Sequence, residues 1–172
     1  MILCDTEILA LIKRDVICDA DLRLVNPASL DVRLGPNLLI ESAATPDMVP
    51  ISIKRASQSD PYELVPGQFV LAETIELFNM PDSLSAQFAL KSSRAREGLQ
   101  HMLAGWIDPG FCGSRLTLEL KNVRQLHRIP VWPGMRIGQI VFMQMKHTPV
   151  VSYRECGHYN GLMSVSPSLV AA

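Results

Sequence analysis

Apolar positions along this chain change their rhythm after the first twenty or so residues. Near the start, Ile8, Leu9, Leu11 and Ile12 fall on one helical face, with Asp5 placed to cap the helix. Beyond Asp19 the helical period fades into short β-type runs: LDVRL (30–34), QFVLAETIEL (68–77), SAQFAL (85–90), RLTLEL (115–120) and MRIGQIVFMQM (135–145). In the fourth run the alternation puts Leu116, Leu118 and Leu120 on one face and Thr117, Glu119 and Lys121 on the other, because successive strand side chains point to opposite sides. Pro27, Gly35-Pro36, Pro66-Gly67, Pro81-Asp82, Pro109-Gly110 and Pro133-Gly134 punctuate the runs. Many short strands between turn signals predict an all-β sandwich or barrel rather than an α/β fold. From Val151 the strand period is lost, and VSYRECGHYNGLMSVSPSLVAA predicts a flexible arm whose two tyrosines can anchor it.

The length of 172 residues suits one domain with a substantial core. A net charge of -1 gives no general pull toward nucleic acid, so any anionic ligand needs a local cluster of cations. No apolar run approaches the roughly 20 residues that cross a bilayer, and the start, MILCDTEILALIKRD, lacks the pattern of a secretion signal. The expectation is a soluble, cytoplasmic protein. Cys4, Cys18, Cys112 and Cys156 form no CxxC pair and show no zinc-ligand spacing, which favours reduced thiols.

The densest polar cluster is Lys91-Ser92-Ser93-Arg94-Ala95-Arg96, which follows an apolar strand. Two hydroxyls beside three cations can supply donors to a phosphate chain, although the glycine spacing of a Walker loop is missing. From composition alone a solvated basic turn is the better reading. Asp108, before Pro-Gly, is a common turn former with a local Asx-type hydrogen bond as its plain role. Glu119 can be an exposed strand residue facing a cross-strand cation. The histidines at 101, 127, 147 and 158 are scattered and read as surface or loop residues.

Taken together, several segments resemble the dCTP deaminase family, which shares its fold with the trimeric dUTPases. They are NPASLDVRLG (26–35), VPGQFVLAETIELFNMPDSLSAQF (65–88), KSSRAREGL (91–99), AGWIDPGFCGSRLTLELKN (104–122) and WPGMRIGQIVF (132–142), with weaker echoes at Tyr153 and GHYNG (157–161). The resemblance implies a distorted β-barrel or jelly roll over 1–150, with a short N-terminal helix, and an arm over 151–172 that closes over the nucleotide. It also implies a homotrimer with active sites between subunits, and hydrolysis of dCTP to dUTP and ammonia on the route to dUMP and dTTP. Mg²⁺ enters with the triphosphate, and dTTP is a candidate inhibitor. The HxE…PCxxC ligand set of zinc deaminases is absent, so no zinc is expected and a protein base must activate the water.

The resemblance implies that this base is Glu119, with Ser92 and Arg96 beside it orienting water and pyrimidine, and assigns the following roles by matching position. Lys91, Ser92 and Ser93 fall on phosphate-contacting positions, with Arg94 as an added cation. Asp108 falls where the sugar 3′-hydroxyl is read, which is also the place of the water-activating aspartate of dUTPases. Ala104 lies in the loop reading the pyrimidine edge. Thr117, Leu118, Gln139, Tyr153, His158 and Tyr159 complete the nucleotide contacts. The chain departs from the family pattern at Arg94 and Glu97, where leucines are usual. Further departures are a 99–105 loop one residue short, His158 in place of a lysine, and Leu162 in place of a glutamine. Residues 36–64 do not align. Two other readings stay open: a bifunctional enzyme releasing dUMP and pyrophosphate, and a non-catalytic trimer that binds nucleotide.

Overall fold

The computed structural model describes residues 1–169. The expected short helix is present as α1 (Asp5–Lys13), burying Ile8 and Leu11. Its cap is Cys4 rather than Asp5, because Glu7 reaches back to accept the Cys4 backbone N–H at 2.9 Å, half of a capping box. The strands are β1 (Ile17–Cys18), β2 (Val25–Asn26), β3 (Ser29–Ser42), β4 (Thr45–Ser52), β5 (Tyr62–Leu64), β6 (Phe69–Asn79), β7 (Leu84–Leu90), β8 (Leu99–His101), β9 (Trp106–Ile107), β10 (Cys112–Asn122), β11 (Ile129–Val131) and β12 (Arg136–Gln144). Two short helices, α2 (Ser92–Arg96) and α3 (Tyr153–Cys156), complete the order.

One sheet runs β8-β10-β6-β3-β12-β7-β9, with β1 beside β6 and both β2 and β4 beside β3; β5 and β11 pair separately. The sheet curls because β3 serves both halves. Leu30 to Arg33 pair with β12, whereas Leu34 to Ile40 pair with β6, with a register shift between Leu34 and Leu38. Gly35-Pro36 therefore does not end the strand, as its turn chemistry predicts. It lies at the irregularity where the strand passes from one partner to the next. The prediction of an all-β fold with a short N-terminal helix is correct.

The interior is one cluster that includes Ile8, Leu30, Leu38, Phe78, Leu118, Leu120, Ile140 and Phe142, all essentially without solvent contact. Its one face per strand is what alternating patterns supply. β6, flanked on both sides, is buried along almost its whole length and carries Glu73 and Glu76 inside. Glu76 meets Arg33 through backbone and side chain, at 2.8 and 2.7 Å. Burial nevertheless pushes its carboxyl above the ordinary value, against the lowering effect of the Arg33 donors. No helix among the described residues is long and apolar enough to cross a membrane.

Candidate active site

β10 supplies one wall of a cavity of about 610 Å³. Leu118 and Leu120 face the core as the alternation predicts, but Leu116 does not simply join them. The ladder to β6 slips between Arg115 and Thr117, and the Leu116 N–H is held by Thr74 Oγ1 at 3.1 Å. This bulge brings Leu116, Thr117 and Glu119 all to the cavity. Phe69 and Leu71 of β6, Met48 of β4 and Phe111 add apolar surface.

The turn after β9 is stiffened from several sides. The Phe111 N–H bonds to the Asp108 carbonyl at 3.2 Å. Gly110 has a φ of 90°, and a Cβ there would lie 2.0 Å from Ser152 Oγ, so both conformation and space require glycine. The Asp108 side chain accepts from the Trp106 indole N–H at 3.0 Å, which takes the place of the local Asx bond. Asp108, Ala104 and Trp106 are exposed on the rim.

Glu119 is not simply solvated. Its side chain is 26% exposed, and Oε2 lies 3.3 Å from Nε2 of His101, whose side chain is 5% exposed. Both of these buried atoms lack a partner in hydrogen-bonding geometry, although they face each other. His101 sits on β8, paired with Leu120 of β10, and its ring packs on Phe88 with centroids 4.6 Å apart. The sequence reading placed this histidine on the surface. The signal was the three-residue alternation Leu99-Gln100-His101, with its outer residues inward, which is too short to read as a strand.

The loss of strand period after Val151 is not a loss of order. Ser152 caps α3 and donates to Asp82 at 2.5 Å. The chain then runs back along β10. Cys112 N–H bonds to Asn160 at 2.8 Å, Ser114 donates to the Tyr159 carbonyl at 2.9 Å, and Arg115 N–H bonds to the Leu162 carbonyl at 2.9 Å. The predicted flexible arm is thus a strap held by side-chain and backbone bonds rather than by a strand ladder. Tyr153, Tyr159, Leu162 and Ser166 to Ser168 border the cavity. Burial raises the Tyr153 phenol above its usual value, so it stays protonated at neutral pH. The final three residues of the predicted 151–172 arm lie outside the described residues.

The cavity thus brings together Glu119, Asp108, Thr117, Ala104, Tyr153 and Tyr159 from the predicted set. Leu118 turns its side chain into the core, and exposed His158 is not on the cavity wall. The Lys91–Arg96 segment, also outside that wall, is not a bare turn but the short helix α2 with Lys91 at its N-cap. Lys91 Nζ meets buried Asp31 at 2.5 Å, Arg94 meets Glu97 at 2.7 Å, and Arg96 Nε donates to Ser92 Oγ at 3.4 Å. Ser93 belongs to the same helix, and Gln139 accepts from Ser29 at 3.3 Å. Within one chain, then, Ser92 and Arg96 are not gathered around the cavity that holds Glu119. Among the described residues no three His, Cys, Asp or Glu side chains converge as a metal cage.

Residues 2–145 match the model of a family described as dCTP deaminase-like. A protein of Mycobacterium tuberculosis named "dCTP deaminase, dUMP-forming" is 40% identical over 158 residues, covering 84% of this chain and 82% of the relative. The crystal structure of 2'-deoxycytidine 5'-triphosphate deaminase from Agrobacterium tumefaciens superposes with a TM-score of 0.67 at 27% identity, covering 82% of this chain and 47% of that longer one. The dUTPase from Streptococcus mutans shares the fold, with a TM-score of 0.52 at 19% identity over 78% of this chain and 97% of the other.

Proposed function

The chain belongs to the dCTP deaminase-like family, and on that premise we propose that it hydrolyses dCTP to dUMP, ammonia and pyrophosphate, with Glu119 as the base. The observation that carries this reading is that Glu119 and Asp108 border one cavity. One carboxylate suits deamination. The other stands at the position of the water-activating aspartate of dUTPases. The dUMP-forming name of a relative at 40% identity supports the same product. The bifunctional reading thus overtakes the simpler one, in which dUTP is released.

In the first step a water attacks C4 of the cytosine. Glu119 takes a proton from it and returns one to the departing amine, so that C4 gains a carbonyl and ammonia leaves. His101 packs behind Glu119, its Nε2 3.3 Å from Oε2 of the carboxylate. The Ala104 loop reads the pyrimidine edge, and the apolar surface of Phe69, Leu71 and Phe111 excludes solvent. In the second step a water directed by Asp108 attacks the α-phosphorus, and pyrophosphate leaves with the bond electrons.

Lys91, Ser92, Ser93 and Arg96, with Gln139, serve the phosphates and the reacting centre from a neighbouring copy in a homotrimer, because they stand outside the cavity of their own chain. Arg94 is already engaged by Glu97, which makes it a weaker phosphate ligand than its charge suggests. The donor set suits Mg²⁺ carried mainly by phosphate oxygens, where the ion screens their charge. The 151–172 arm closes over the nucleotide through Tyr153 and Tyr159, with His158 toward the phosphates. dTTP competes for the same site.

Incubation with dCTP and Mg²⁺, followed by quantification of ammonia, pyrophosphate and both uracil nucleotides, tests the proposal. Equal ammonia and pyrophosphate with dUMP is the expected result. Ammonia with dUTP alone would favour the monofunctional reaction, and bound nucleotide without ammonia would leave only the binder.

A further inference from the structure

We propose that Glu73 is a latch that fastens the C-terminal strap across the cavity from within the same chain, before any nucleotide arrives. The fastening stands on geometry alone. Its effect on substrate affinity rests on the reading of the cavity as a nucleotide site.

Glu73 lies in the middle of β6 and is 2% exposed. A carboxylate buried this deeply is costly unless donors satisfy it, yet among the described residues no cation is one of its hydrogen-bond partners. Oε1 accepts from Asn37 Nδ2 at 2.8 Å, and Oε2 accepts from Ser164 Oγ at 2.7 Å and from the Val165 N–H at 2.8 Å. Both donors to Oε2 therefore come from the strap. Lifting the strap strips that oxygen of its partners while Oε1 keeps Asn37, so closing the strap and satisfying the carboxylate are one event. Bonds of this kind, with an ionised acceptor, are stronger than neutral ones.

Two further features place the latch at the cavity. Thr117, the cross-strand partner of Glu73 on β10, receives the Ser166 N–H at 3.4 Å, and Ser166 to Ser168 border the cavity itself. On the other side, a Cβ at Gly35 would lie 2.4 Å from Glu73 Cγ. The Gly35 backbone is not in the left-handed region, so glycine is needed there to leave space for the Glu73 side chain.

The test is hydrogen exchange of the unliganded full chain, read over 160–169, beside steady-state kinetics with dCTP. Glu73→Ala is expected to raise strap exchange roughly ten- to a hundredfold, the equivalent of losing hydrogen bonds to a charged group. Exchange in β6 and β10 should be unchanged, with KM rising by a similar factor and kcat nearly constant. Glu73→Gln retains an acceptor and should keep most of the protection, whereas Gly35→Ala should mimic the loss. Unchanged strap exchange in Glu73→Ala would overturn the latch. Equal loosening of strap, β6 and β10 would overturn it too, by making Glu73 a structural member of the sheet. Should Glu73→Ala fail to fold, Ser164→Ala with Val165→Pro removes the donors from the strap side. Strap exchange at wild-type levels in that variant would be equally fatal. If wild type does not turn over dCTP, the proposed reaction falls, while strap exchange still decides the latch.

Discussion

At the cavity, Glu119 and His101 present buried atoms that face each other without a formed hydrogen bond. In the Lys91–Arg96 segment every cation is already engaged, Lys91 by Asp31, Arg94 by Glu97 and Arg96 by Ser92. Unsatisfied buried polar groups are costly and mark places where a ligand or water completes the set. Engaged cations give up an existing partner to bind a phosphate, and Lys91 would do so at the expense of buried Asp31. Among the described residues the cavity itself offers one cation, Arg115, and that one is held by Asp19 at 3.1 Å. On the proposed reading a pyrimidine and its sugar occupy the first region and a triphosphate the second, and one nucleotide would draw on both.

The strongest way to break this contrast is Glu119→Gln. Turnover, followed as ammonia release, should fall by about 10²–10⁴, the usual worth of a general base, with nucleotide binding largely kept. Retained activity would remove Glu119 from its role. Next comes a mixing experiment between Glu119→Gln and Arg96→Ala, each nearly inactive alone. If sites are shared between copies, random mixed trimers should recover about a quarter of wild-type activity; no recovery would put both residues in one chain's site. A smaller effect is expected for His101→Ala, where kcat should drop on the order of tenfold through a displaced carboxylate. An unaltered kcat would reduce His101 to a packing residue.

Glu76→Gln is the control, a buried carboxylate that has its own cation and touches neither region. Burial holds the Glu76 carboxyl above its ordinary value. The folded state therefore binds the proton more tightly, and that contribution to stability is full below the unfolded pKa and is lost as pH rises through the folded one. Melting curves taken from about pH 4 upward should show wild type losing ground to Glu76→Gln over that window, with activity unaffected. A difference independent of pH would contradict this.

The fold was largely legible because five long runs carry their faces in their alternation. The strands that escaped are those where local chemistry contradicts the pattern. β4 contains Pro46 and Pro50 and pairs only with β3, and β11 has Pro130 at its centre. Proline removes a ladder donor and is tolerated at such edges, so these segments read as loops. At the site, Glu119 was legible from the strand face and Asp108 from its turn. His101 was hidden by the brevity of β8. The strap was hidden because Glu73, Ser114 and Asn160 order it through side chains, which leave no periodic trace.

β3 touches Asp31, the partner of Lys91, and Asn37, the support of Glu73, only six residues apart on one extended strand. It acts as a ruler of roughly 20 Å between the cation helix and the strap. An inserted residue would change that spacing, and the irregularity between Leu34 and Leu38 is where the ladder already slips.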